Sequence, residues 1–367
     1  MSNSRFLLVT FDAGGNFPPV PTLGRELRRR GHQVTILGHE QQRAKVEDAG
    51  LSFIAYTDPP PWSSVRRRST IAGLTGYLKM FTTPALVADA VAAAQNCDLV
   101  VVDCMLLPVV AALTERNVPT VALFHAFYAY LDGSFRRGPI GTVARFRGLS
   151  ASKIWRATDL QLVISDQLLD PAGRRSGDLA PILWSGPAEP MARPLTPHSP
   201  PRILASLSTT YFPGQRRTLQ RILDAAAELP IELIMTTGPA VSPGDLRAPA
   251  NAEVHQFIPH REILPDCAAV IGHGGHSTTF QALAHGLPLI ILPMHPLLDQ
   301  PMVGRAVATS GAGVRLPKRS SATRIATSLR SILDDPSYAA GAQVIGQRLR
   351  AGGGTSTAVD ALEALLR

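Results

Sequence analysis

A-V-I-G-H-G-G-H-S-T-T-F-Q-A-L-A-H-G-L-P-L-I-I-L-P-M-H-P-L-L-D-Q, residues 269–300, decides the fold. Ala269 to Ile271 is an apolar run short enough for a buried strand. Gly272, Gly274 and Gly275 make a turn, a helix is predicted from about Ser277 to His285 and is closed by Gly286, and Leu289 to Leu292 is a second buried strand. The unit is β-α-β. Its turn sets a histidine, two adjacent glycines and the hydroxyls of Ser277, Thr278 and Thr279 at a helix N-terminus. Glycines let backbone approach a ligand, free N–H groups and the macrodipole favour negative charge, and His273 and the hydroxyls donate hydrogen bonds. A tight turn with Ser277 as N-cap would account for one hydroxyl and one glycine. It leaves His273, Gly274, Gly275 and His276 unexplained, so a phosphate or diphosphate is expected here.

Working outward, the chain begins in the same style. Arg5 to Phe11 is an apolar strand, Asp12 to Pro19 its C-terminal loop, and Val20 to Arg30 a helix stopped by Gly31. His32 to Leu37 is the next strand. Gly14 and Gly15 are adjacent and followed by Asn16 and Phe17, so the G-x-G-x-x-G dinucleotide fingerprint is absent. The composition breaks at Ser185 to Arg202, where repeated prolines without apolar periodicity mark a linker. A second half then restarts with a strand at Ile203 to Leu207. Between Thr57 and Phe81 periodicity is lost, and Trp62, Arg66-Arg67-Arg68, Tyr77 and Phe81 suit a mobile loop over a ligand.

At 367 residues the chain can build two α/β domains, each with its own core. The first apolar run is too short for a signal region or membrane span, which predicts a cytoplasmic protein with no membrane span. Cys97, Cys104 and Cys267 lack metal spacing and are expected to be free. Lys and Arg number 36 against 28 Asp and Glu, a net charge of +8. The basic residues are scattered and no aromatic-interleaved stripe occurs, so nucleic acid is not expected, and a small polyanionic substrate fits the field. Nothing in the sequence specifies an oligomeric state.

The segment 269–300 resembles the donor-binding motif of inverting, nucleotide-sugar-dependent glycosyltransferases of the GT-B fold, notably the bacterial natural-product enzymes. That motif opens H-G-G-x-G-T and is followed by an Asp-Gln pair. The matching residues are His273, Gly274, Gly275, Ser277 in place of the usual glycine, Thr278, Ala282, Leu283, Gly286, Pro288, Asp299 and Gln300. The resemblance implies an α/β protein with two Rossmann-like domains whose parallel sheets face an interdomain cleft. Residues 1–190 would form an acceptor-binding domain, 191–202 the linker, 203–350 the nucleotide-sugar domain, and 351–367 a helix packing back on the first domain.

The donor-binding residues it implies are Ser208 and Thr209 near the phosphates, Phe257 and Ile258 at the pyrimidine, and His273, Gly274, Gly275, Ser277 and Thr278 at the diphosphate. Asp299 and Gln300 would read the sugar hydroxyls, since an acid and an amide together accept and donate. Acceptor-binding candidates are Trp62, Tyr77, Phe81, Tyr128 and Asp132.

The first loop departs from the family. Where relatives carry a catalytic histidine in G-H-x-x-P, this chain has Asn16, which cannot act as a base. Asp103, at the end of the strand Leu99 to Asp103, matches the acid that orients that histidine. The proton must go elsewhere, or the acceptor must need little help, as an acidic phenol, an ionised group or an aromatic carbon would. Asp12 and Asp103 are both candidate bases, and the sequence does not choose between them. His125 is a further catalytic candidate, with a hydrogen-bonded half-buried residue as the plainer reading.

The resemblance therefore implies an inverting, metal-independent glycosyltransferase that moves a hexose or deoxyhexose from a UDP- or dTDP-sugar to a small aromatic natural-product acceptor, with no cofactor. No D-x-D pair occurs to clamp a metal-diphosphate. The alternatives are a sugar-nucleotide epimerase or hydrolase on the same fold, or a non-catalytic auxiliary subunit that binds a nucleotide sugar.

Overall fold

Apolar runs without polar alternation form strands buried on both faces, and such strands pair in parallel under covering helices. In the computed structural model, which describes residues 3–174, 181–188, 192–196 and 198–367, two sheets are built this way. The first has seven strands in the order β3-β2-β1-β4-β5-β6-β7: β1 (Arg5–Val9), β2 (Gln33–Gly38), β3 (Ser52–Ala55), β4 (Leu99–Asp103), β5 (Thr120–Phe124), β6 (Leu160–Val163) and β7 (Ile182–Trp184). The second has six in the order β10-β9-β8-β11-β12-β13: β8 (Arg202–Ser206), β9 (Glu232–Thr236), β10 (Ala252–His255), β11 (Cys267–Gly272), β12 (Leu289–Ile291) and β13 (Gly313–Arg315). Every pairing is parallel. Both sheets begin in the middle, run to one edge, and return to the other side of their first strand. Loops therefore diverge beyond β1 and β4 in one and beyond β8 and β11 in the other, where ligands bind in doubly wound folds.

The chain divides into two compact units, one comprising Met1–Ser64, Ser69–Ala188 and Gly353–Arg367, the other Val65–Arg68 and Glu189–Gly352. The expected linker 191–202 is described except at residues 191 and 197, and the expected boundary at 190 also lies outside the described residues.

In the first unit the helix Pro19–Arg29 lays Leu23 and Leu27 on the sheet, in one core with Ala358, Val359 and Leu362 of the helix Thr355–Ala364. Full burial of each such aliphatic side chain contributes roughly 1.5–3 kcal/mol. Polar contacts fasten the same helix. Arg30 Nη1 donates to Glu363 Oε2 at 3.0 Å, and Glu363 Oε1 lies 2.9 Å from His32 Nε2. In the second unit Leu219, Ile222 and Leu223 of the helix Gln215–Ala226 pack with Ile325, Leu329 and Ile332 of the helix Ala322–Asp334. Among the described residues no helix is long and apolar enough to cross a membrane.

The mobile loop expected at 57–81 is only partly a loop. Residues 70–82 form a helix, Thr70–Thr82, whose N-cap Ser69 accepts a hydrogen bond from the Ala72 N–H at 3.2 Å. Gly73, Gly76 and the threonines lower its intrinsic propensity. Gly76 is there for packing, because a Cβ would sit 2.5 Å from Cζ3 of Trp62.

Candidate functional site

The second unit carries the motif that opened the sequence. β8 and β11 pair so that Ser206 faces Gly272, and the loops holding Ser208 and His273 leave from those two residues. The helix His276–Ala284 starts after Gly275, which is extended and provides no side-chain cap, so Ser277 is inside the first turn rather than the N-cap. Gly275 itself supplies no side-chain cap to the first N–H groups of that helix, and N–H groups at a helix start favour an anion.

The two glycines have different jobs. Gly274 has φ +87°, and a Cβ there would meet the Gln300 carbonyl oxygen at 2.9 Å and Ile291 Cγ2 at 3.1 Å. Gly275 has an ordinary backbone (φ −71°), and a Cβ there would strike His273 at Cε1 and Nε2, both at 2.6 Å. The imidazole thus lies across the helix start. Burial pushes His273 down to about 4, against a smaller opposing pull from Asp299. At neutral pH it is a neutral donor.

Asp299 and Gln300 are brought to the same place. His276 Nε2 is 2.8 Å from Asp299 Oδ2, a pairing across the turn. Gln300 is buried, and its side-chain oxygen accepts from the N–H groups of Met294 (2.7 Å) and His295 (3.0 Å). That oxygen shapes the loop after β12. Thr278 reaches His260, with Oγ1 3.3 Å from Nδ1, and Thr236 Oγ1 lies 3.4 Å from His260 Nε2. Burial also pushes His260 down to about 4. This bridge ties the helix start to the segment of Phe257 and Ile258. Phe257 itself is 70% exposed beyond the β10 edge, two strands from β8. Ser208 has φ +151°, unusual for a non-glycine residue, and its hydroxyl accepts from the Thr210 N–H at 2.9 Å. Its carbonyl accepts from Gln215 Nε2 at 3.2 Å. Backbone held in such a region costs on the order of 1–3 kcal/mol and clusters at ligand sites. Thr209, beside it, is exposed.

The first unit gathers Asn16, Asp103 and His125 at the ends of β1, β4 and β5. Asp103 is buried. Its Oδ1 accepts from the Met105 N–H at 3.0 Å, and its Oδ2 accepts from Asn16 Nδ2 at 3.1 Å. The same Oδ2 lies 3.1 Å from His125 Nδ1, an ion-pair contact. Asn16 donates as well to the Phe11 carbonyl at 2.9 Å, and its oxygen accepts from the Ala13 N–H at 3.2 Å. Asp12 stands apart from this cluster. Its carboxylate accepts from the Ser64 hydroxyl at 3.1 Å, and its carbonyl from the Trp62 indole, so it anchors the following loop.

Of the expected acceptor residues, Trp62 and Tyr77 form a partly exposed pair with ring centroids 4.5 Å apart. Phe81 is buried, stacked against Tyr77 and edge-on to Phe11. Tyr128 is buried and its hydroxyl donates to Gln161 Oε1 at 3.2 Å. Burial, and secondarily Asp132, push it up to about 12. Asp132 is paired with Arg136 Nε at 2.9 Å. Among the described residues no group of three or more His, Cys, Asp or Glu is placed to hold a metal.

Sequence reasoning missed His276 and His260 as partners of site residues, and it missed Asp170. This buried carboxylate takes the N–H groups of Tyr128 (2.5 Å), Ala129 (3.1 Å) and Ala172 (2.9 Å) and so fixes the turn after His125. An isolated Asp in a loop gives no sequence signal for that role.

Comparison with known proteins finds matches in both halves of the chain. The family described as "Glycosyl transferase 4-like domain" matches residues 20–183, and "Erythromycin biosynthesis protein CIII-like, C-terminal domain" matches residues 220–365. The chain belongs to the natural-product glycosyltransferases of the GT-B fold. This glycosyltransferase is 27% identical to O-mycaminosyltylonolide 6-deoxyallosyltransferase of Streptomyces fradiae, over 98% of the chain and 97% of that protein. Its fold is similar to that of the kitacinnamycin glycosyltransferase (TM-score 0.82, 22% identity, full coverage of both chains). It is also similar to VinC, solved in complex with dTDP (TM-score 0.73, 20% identity, 99% of each chain).

Proposed function

We propose that this natural-product glycosyltransferase transfers a hexose or deoxyhexose from a UDP- or dTDP-sugar to a small aromatic acceptor, with inversion and without a metal. The observation that carries the reading is the start of the helix His276–Ala284, whose N-cap is a glycine, beside His273, Ser277 and Thr278. Preorganised N–H and O–H donors at a helix N-terminus stabilise the charge that develops on a departing diphosphate. His273 is neutral there, so it donates a hydrogen bond without adding charge of its own. The exposed ring of Phe257 suits stacking of a pyrimidine base, and the Trp62–Tyr77 pair suits an aromatic acceptor. The Streptomyces fradiae relative is named as a deoxyhexosyltransferase and VinC was solved with dTDP, which favours a deoxysugar on a thymidine nucleotide. Displacement of the diphosphate by the acceptor in a single step inverts the anomeric centre.

The test is a product assay with UDP-glucose and dTDP-deoxyhexoses against a panel of phenols and alcohols, with and without EDTA. Glycosides of inverted configuration at undiminished rate in EDTA are expected. Donor consumption without a glycoside, retained configuration, or loss of activity in EDTA restored by a divalent ion would each overturn part of the reading.

A further inference from the structure

We infer that the proton acceptor has moved along the sheet: His125, held by Asp103, takes the proton of an acceptor hydroxyl in place of the histidine that this chain lacks at position 16. The inference rests on the glycosyl-transfer reading above and deepens it.

Asp103 Oδ2 is shared. It lies 3.1 Å from the Asn16 amide nitrogen and 3.1 Å from His125 Nδ1. A buried carboxylate is costly unless it is paired, and of these two side chains only the imidazole can become a cation. Asn16 is locked in place by the Phe11 carbonyl and the Ala13 N–H, and it contributes a neutral hydrogen bond. His125 is one carboxylate away from position 16, at the end of the adjacent strand β5, because Asp103 of β4 is in register with Leu123. Contact with the carboxylate favours the tautomer with its proton on Nδ1 and leaves the Nε2 lone pair to accept another. Nδ1 is buried beside Asp103 Oδ2, and 11% of the side chain is exposed. The turn that follows is fixed by Asp170 and contains one turn of π-helix, Leu131–Phe135.

In the step, the acceptor O–H gives its proton to His125 Nε2 as its oxygen lone pair forms the bond to the anomeric carbon. The bond from that carbon to the diphosphate oxygen breaks, and its electron pair leaves with the diphosphate. Asp103 stabilises the imidazolium, a positioning role like that of the acid in other His–Asp pairs. A base of this kind serves a hydroxyl that is protonated at neutral pH. An acceptor already ionised, or an aromatic carbon, would not call for it.

Two measurements test this. The first is steady-state kinetics with one donor and two acceptors, an aliphatic alcohol and an acidic nitrophenol. His125→Ala, with His125→Gln as the isosteric check, is expected to lower kcat on the alcohol by about 10²–10⁴-fold, to spare the nitrophenol, to leave the donor KM unchanged, and to abolish the acid limb of the kcat–pH profile. Asn16→His in the His125→Ala background should restore that limb by returning the base to its usual place. Wild-type kcat and an intact acid limb in His125→Ala would overturn the assignment. The second is a long-range ¹⁵N–¹H spectrum of the wild-type imidazole, which needs no turnover: proton on Nδ1, shifting in Asp103→Asn, is expected, and proton on Nε2 overturns the inference. A wild-type enzyme that transfers to nothing counts against the proposed function, while the spectrum still decides the His125–Asp103 relationship.

Discussion

The imidazole of His273 occupies the space that a side chain at residue 275 would need, at 2.6 Å from where its Cβ would stand. Gly275 has backbone angles that any residue adopts. Gly275→Ala is therefore expected to fold with little loss of stability while displacing His273 from the helix start. Removing one preorganised donor costs about 10²–10³-fold in rate. Turnover should fall by that order while thermal unfolding moves little, and wild-type turnover would mean that His273 plays no part at the diphosphate.

Gly274→Ala should behave in the opposite way. Its positive φ, together with the Gln300 carbonyl oxygen 2.9 Å from where a Cβ would stand, leaves no relaxed position for a side chain. A stability loss of about 1–3 kcal/mol is expected in urea unfolding, with a matching drop in the amount of folded enzyme. The pair of variants separates geometry of the site from integrity of the turn.

His260 and His273 make the second unit sensitive to acid. Burial holds both near 4, well below the ordinary value of about 6.5. Depressed values in the folded state mean that the unfolded chain binds these protons first, so their stabilising contribution is complete above about pH 6.5 and is lost as pH falls toward 4. Unfolding monitored between pH 7 and 4.5 should show an uptake of up to about two protons. His260→Asn should remove roughly half of that dependence, and an unchanged slope would contradict the burial argument.

Glu363 is held below the usual carboxylate range by its hydrogen bond to His32 and then by Arg30. With a depressed folded-state value, its stabilising contribution is present above about pH 4.3 and is lost as pH falls further. Glu363→Gln should cost about 1–3 kcal/mol at pH 7 and much less at pH 3, measured as the difference from wild type in denaturant unfolding. Equal losses at both values would assign the effect to packing.

Much of this was legible in the sequence because the features were local. Unbroken apolar strands, Gly31 and Gly286 after helices, and the His273-Gly274-Gly275 turn each fall within one window, and so the paired doubly wound sheets could be read directly. The helix Thr70–Thr82 was hidden because Gly73 and Gly76 weaken its propensity, although the Ser69 cap was a signal that could have found it. What stayed out of reach depends on the order of strands. Asp103 and His125 are separated by a whole helix and meet only because β4 and β5 are neighbours with parallel register. The same holds for His276 with Asp299 and for Thr278 with His260. Aromatic residues after a strand suit a core as well as a pocket, and the bond from Tyr128 to Gln161 on β6 is another contact that only the strand order brings about.

The helix Thr355–Ala364 also sets a timetable for biosynthesis. The first sheet leaves the ribosome before this helix, yet its core lacks Ala358, Val359 and Leu362 until the helix emerges. The intervening residues Glu189–Gly352 take on the order of ten seconds to translate at the usual rates of about 5–20 residues per second. The unit begun first is therefore completed only after Glu189–Gly352 have been made, and during that interval the apolar groove awaiting the helix is open to chaperones.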